Sequence, residues 1–187
     1  MRISITLLSY EHGVIRQVVD CVAEVVRRGE VGKFKGLLAG SNTFFVEYMD
    51  RFHHGKEERF LFPYVEERSP VERRTIERLL EDHRRARELL ARLIRTEGQE
   101  GFIDEDGYCP VAQELVNHIT KHVSFEEEHF FPGIEDHISL DDDEKLYSEY
   151  EAYVKERFDE YFPQNCENFS FRLQSKVLPA GHFDGVV

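Results

Sequence analysis

The chain has 187 residues, 41% of them apolar, which is the length of one domain with enough apolar side chains for a core. Lys and Arg number 24 against 37 Asp and Glu, and the net charge of −13 argues against a nucleic-acid-binding surface or an anionic-membrane anchor. No apolar run approaches the ~20 residues of a membrane span. Met1 leads into an amphipathic pattern without a signal-peptide core. Cys21, Cys109 and Cys166 form no Cys-x-x-Cys pair, so the expectation is a cytoplasmic protein with reduced thiols.

Five stretches read as helices. The first runs from about Ser4 to Arg28, where Leu8, Ile15, Val18, Val19, Val22, Val25 and Val26 recur at helical spacing and Gly29 ends it. The second begins somewhere between Val31 and Ser41 and ends near Arg68. Ser69-Pro70-Val71-Glu72 opens the third as a capping box with proline at the first helical position, and leucines carry it to about Glu97. After a polar glycine-containing loop, Pro110 opens the fourth, which runs to about Asp136. A fifth starts near Ser139, with Asp141, Asp142 and Asp143 where a helix dipole favours negative charge. From Pro163 onward the pattern stops, and the stretch to Val187, including His182, reads as an irregular tail whose phenylalanines and leucines pack on something. Residues 1–137 are therefore expected to form an antiparallel bundle and 138–187 a helix and tail laid on it.

An internal repeat gives the bundle its chemistry. Aligning His12 with His83 matches Leu8 to Leu79, Glu11 to Asp82, Arg16 to Arg87 and Val19 to Leu90. Aligning His53 with His122 matches Glu57-Glu58 to Glu126-Glu127 and Phe62-Pro63 to Phe131-Pro132. The offsets, 71 and 69 residues, belong to one duplication. Residues four apart on a helix share a face, so His53 points with Glu57 and His122 with Glu126. Those positions continue apolar stripes, and a carboxylate or imidazole in a core is costly unless paired or metal-bound. His12 and His83 add an imidazole from each of the other two helices. Two glutamates able to bridge and four histidines suit a binuclear iron, manganese or zinc site, and the lack of thiolates argues against copper(I) and iron–sulfur chemistry. His118, one turn before His122, is read as a fifth imidazole. Its repeat equivalent is Met49, so it would make the site asymmetric. The alternative reading of these pairs is structural ion pairing. His54, one residue and about 100° from His53, is expected at the edge or exposed. His129 and His137 are read as non-ligands, and Glu58 and Glu127 as acceptors for ligand histidines.

These residues give the chain a resemblance to the hemerythrin-like, or HHE cation-binding, family. The resemblance rests on Glu11-His12, on the run His53-His54-Gly55-Lys56-Glu57-Glu58-Arg59-Phe60-Leu61-Phe62-Pro63, on Asp82-His83, and on His118-x3-His122-x3-Glu126 with Phe131-Pro132. It covers roughly residues 4–137 and leaves out the fifth helix and tail. It implies an all-α, up-down-up-down four-helix bundle around a di-iron centre. His12, His53, His83 and His122 would be terminal ligands, and Glu57 and Glu126 bridges. The oxygen-carrier branch has two histidines four apart in the third helix, where this chain has His83 and Arg87. The resemblance is therefore to the broader branch, whose members include oxygen, redox and iron sensors and proteins of nitric oxide and peroxide stress.

The expected function is a di-iron protein that binds or senses oxygen, nitric oxide, or redox or iron state, with a protein partner reached through the fifth helix or tail. Two alternatives stand beside it: a di-iron enzyme acting on peroxide or nitric oxide, and a bundle stapled by a structural metal. Manganese and zinc are weaker fits than two irons.

Overall fold

The computed structural model describes residues 2–98 and 103–178. All regular elements among them are helical, and Glu97 and Ile103 form an isolated antiparallel bridge across the polar loop. α1 spans Ile3–Arg28 and buries Leu8, Ile15, Val18, Val19, Val22 and Val25. Gly29 ends it at φ 65°, a left-handed conformation that costs glycine little, and its N–H returns to the Val25 and Val26 carbonyls. α2 (Val31–Phe44) continues without a break into a π-helical segment, Phe45–His54. A second π segment, Glu57–Leu61, and α3 (Phe62–Arg68) complete this stretch.

Several expected boundaries move. The Ser69 capping box does not form: Ser69 is buried, its side chain makes no cap bond, and its backbone carbonyl accepts from Glu72 N at 2.9 Å. Pro70–Glu72 is a 3-10 turn, and α4 runs from Arg73 to Ile94. α5 (Glu105–Phe125) begins ahead of Pro110, which lies inside the helix. Asp104 has the extended backbone of an N-cap, and Glu105 and Asp106 put negative charge in the first turn, so the start signal there outweighs the proline. A third π segment, Glu126–Phe130, and α6 (Phe131–Glu135) follow. α7 (Leu140–Arg157) starts as expected: Ser139 Oγ accepts from Asp142 N at 3.1 Å.

The largest departure is at the C-terminal end. The stretch from Pro163, expected to be irregular, is a helix, α8 (Phe162–Val177). Pro163 sits in its first turn, where a missing N–H costs nothing. Leu173 and Val177, four apart, are buried against the core, and tertiary packing overrides the weak propensity of Gln164-Asn165 and Asn168. His182 lies outside the described residues.

α1 is the element most surrounded: α2, α5, α7 and α8 all pack on it, and α4 packs on α5. Buried apolar residues form two clusters. One holds Val14 to Val25 of α1 with Met49, Ala86, Ile119 and Val123, and the other holds Leu8, Leu61, Leu79, Phe130 and Tyr150. On each of the four repeat helices the matched polar residues fall between the two clusters. The apolar core is thus split by one buried polar layer.

The added helices are keyed in place. Asp143 of α7 caps α1, accepting from Ile3 N at 2.8 Å, Ser4 N at 2.9 Å and Ser4 Oγ at 2.6 Å. Tyr153 donates its hydroxyl to the Arg51 carbonyl at 2.6 Å, over Gly55, where a Cβ would collide with the Tyr153 hydroxyl. The ring of Phe169 in α8 lies over Gly40, 2.8 Å from where a Cβ would stand.

Candidate metal centre

The buried layer brings together six of the seven residues expected at the site. His12, His53, Glu57, His83, His122 and Glu126 are each at most 5% exposed. Their ligating atoms face one another. His53 Nε2 and His83 Nε2 lie 3.6 and 3.5 Å from the two oxygens of Glu57. His12 Nε2 and His122 Nε2 lie 3.1 and 3.2 Å from Glu126 Oε2. Each glutamate thus sits between a histidine of its own helix and one from another.

Three of the four outward nitrogens have hydrogen-bond partners that fix the rings. His12 Nδ1 donates to Glu127 at 2.6 Å, His83 Nδ1 to Glu58 at 2.8 Å, and His53 Nδ1 to Glu11 at 3.0 Å. His122 Nδ1 faces Asp82 at 3.8 Å. A carboxylate only accepts, so it holds the proton on Nδ1 and leaves the Nε2 lone pair pointing into the site. This is the arrangement in which metal-ligating imidazoles are usually oriented. The expectation for Glu58 and Glu127 holds, and Glu11 takes the same role for His53, while Asp82, its repeat equivalent, faces His122 without a hydrogen bond. The repeated phenylalanines also find a use: Phe131 stacks on His12 at 5.5 Å and Phe62 on His83 at 5.6 Å.

His54 and His118 exchange the places expected of them. His54 is 2% exposed, not at the edge, and stacks on His83 with ring centres 3.7 Å apart. It joins Glu57, His83 and His122 in one group of four potential ligands, all within 4.8 Å of one another. His12, His53, Glu57 and Glu126 form a second such group, and Glu57 belongs to both. His118 joins neither: it is half-buried, and its Nε2 donates to the Asp82 carbonyl at 2.8 Å, bracing the backbone beside His83. The 100° argument fails at His54 because it lies in a π segment. An i to i+5 pattern puts more residues in each turn, so neighbours diverge less and both can turn inward. Its spacing of three from Glu57 was the usable signal, since i and i+3 share a helix face. His129 and His137 are exposed, as expected of non-ligands.

The charges in the layer do not balance within the protein. Burial, then the neighbouring Glu126 and Glu11, push the Glu57 carboxyl well above its ordinary range. Burial, then nearby imidazoles, push His53 and His83 well below theirs, and burial takes His54 down to about 4 despite Asp50. Burial also works to raise Glu126, but His122 and His12 outweigh it and hold its carboxyl low. The inward Nε2 atoms of the four repeat histidines and all four oxygens of Glu57 and Glu126 lack a hydrogen-bond partner. Orphaned lone pairs at full burial are costly. Divalent cations would satisfy them and neutralise the carboxylates, so the donor set fits imidazole–carboxylate metal binding. Lys56, which the sequence gave no reason to single out, is fully buried beside it and pairs with Glu11.

An all-helical chain with such a layer defines a helical metal-binding protein. The profile of the hemerythrin HHE cation-binding domain matches residues 4–134, more than two thirds of the chain, and the chain belongs to that family. Searches of curated proteins and of solved structures returned no match. No described helix is long and apolar enough to cross a membrane.

Proposed function

We propose that the protein holds two iron ions in an antiparallel, up-down-up-down four-helix bundle and uses them to bind or sense a small molecule, oxygen or nitric oxide. The observation that carries this reading is the pair of four-residue ligand groups joined by Glu57. One group offers three imidazoles and one carboxylate, the other two of each, so the two positions are chemically unequal. The added molecule is assigned to the position at His12 and His53, whose donor set is the richer in carboxylates. Iron there would supply reversible electron donation to a diatomic molecule. The chain's own contribution is orientation and dryness. Glu11, Glu58 and Glu127 hold their imidazoles by hydrogen bonds, Asp82 faces His122 at longer range, and Phe62, Phe131 and Leu8 exclude bulk water.

Elemental analysis of protein purified without air tests the binuclear part. Two irons per chain are expected, and one metal or none, with no second site filled on reconstitution, rejects it. Two zinc or manganese ions would keep the site and change the metal. Optical spectra with oxygen and nitric oxide test the ligand part: a reversible adduct is expected. Turnover of peroxide or nitric oxide would move the reading to an enzyme, and a colourless inert centre to a structural staple.

A further inference from the structure

Outside the candidate metal centre, a large cavity follows the seam between the family domain and the two added helices. It holds about 940 Å³ and is walled by α1, the first π segment, α7 and the start of α8. That is the size range of small-molecule sites. Tyr10, Tyr48, Phe52, Tyr147, Tyr150 and Phe158 supply aromatic surface. Two lining residues carry hydrogen-bond donors away from solvent. Tyr150 is fully buried, and its hydroxyl has no hydrogen-bond partner. Lys56 is equally buried, pairs with Glu11, and lies 3.8 Å over the Phe52 ring. An ammonium group has three N–H bonds and Glu11 can take only part of that capacity.

Charge narrows the occupant further. The lining holds five carboxylates, Glu11, Glu151, Asp159, Glu160 and Glu167, against two lysines, Lys56 and Lys155. An anion would meet net repulsion from that wall, and a pure hydrocarbon would leave the buried Tyr150 donor unsatisfied.

We infer that this cleft is a binding site for an uncharged aromatic molecule that carries a carbonyl oxygen at its buried end, accepted between Tyr150 and Lys56. The site does not depend on iron, although Glu11 links its floor to the His53 ring. Because the walls come from both the family domain and α7–α8, the site exists only where those helices are docked.

The test uses the full chain as purified and three probes: 2-acetylnaphthalene, naphthalene and 2-naphthoate, followed by equilibrium dialysis. 2-Acetylnaphthalene should bind saturably at one per chain. Naphthalene and 2-naphthoate should each bind at least tenfold more weakly. Tyr150→Phe keeps the ring and removes the donor, so it should weaken 2-acetylnaphthalene about fivefold, the worth of one hydrogen bond, and leave naphthalene unchanged. No saturable binding would overturn the site, and naphthoate as tight as the ketone would overturn its charge preference. If Tyr150→Phe leaves the ketone's affinity unchanged while altering the metal centre's spectrum, Tyr150 serves the metal's ligand and the anchoring is wrong. The three-probe comparison on the unaltered chain decides the case even if the variant folds poorly.

Discussion

Single residues in the polar layer differ in what they hold. Glu57 has both oxygens turned to inward histidine nitrogens, whereas Glu58 holds the far side of His83 and an arginine, Arg87, at 2.6 Å. Glu57→Gln should therefore abolish binding at both positions. Glu58→Gln should retain two metals with affinity lowered roughly 10- to 100-fold, as loss of a ligand's orienting partner typically does. Metal titration of the two variants separates these outcomes, and equal effects would mean the two glutamates have been assigned the wrong faces. His118→Met should leave metal content and spectrum unchanged, because that ring serves a backbone carbonyl. His54→Val, which installs the residue found 69 positions on at Val123, should keep two metals and change the spectrum. His54 also sets a pH dependence in the metal-free chain. Unfolded, the imidazole takes a proton near pH 6.5; folded, burial delays that to about 4. The unfolded state binds more protons in that window, so stability falls as pH drops through it. The loss attributable to His54 is about 3 kcal/mol. Denaturant titrations of the chelated protein at pH 7 and pH 4 should show a fall larger by that amount than in His54→Val.

At the level of elements, the π segments explain both what the sequence revealed and what it concealed. The repeat pairs His53 with Glu57 and His122 with Glu126 at a spacing that α and π pitch both place on one side, so the convergence of six residues of the candidate site was legible. His54 was not, since its direction depends on pitch, and nothing in Phe45-Val46-Glu47-Tyr48 announces a change of pitch. Lys56 escaped for a related reason: a lysine beside a candidate glutamate ligand reads as solvated until Glu11 of another helix is seen against it. The first π segment also fixes α7. Tyr153 binds the Arg51 carbonyl only because Gly55 lets its ring come close. Gly55→Ala should cost about 1–3 kcal/mol through this overpacking. Tyr153→Phe should cost about 1 kcal/mol for the lost hydrogen bond. If thermal unfolding shows Gly55→Ala to be no more harmful than Tyr153→Phe, the close approach is not what holds the helix.

Across the whole molecule, the all-helical class and the family region were readable because periodicity and repeated polar residues reinforce each other over residues 4–134. α8 was not, because its sequence carries breakers and only two fully buried apolar side chains, and its helicity is induced by the surface of α1. Leu173→Ala should accordingly be expensive, about 2–5 kcal/mol in equilibrium unfolding, and should loosen α8 first in hydrogen exchange. Insensitivity at that position would mean that α8 rests on the core without contributing to it. The Asp143 cap on α1 has a consequence in time as well as in space. A ribosome makes α1 before α7 and α8, so the carboxylate that closes its first turn and the helix that covers its flank emerge well after it. Translation at ~5–20 residues per second leaves His12 of the candidate site on an uncapped and half-covered helix for roughly ten seconds or more. Metal loading is therefore expected to follow the docking of α7, and nascent chains stalled before α7 should emerge without metal.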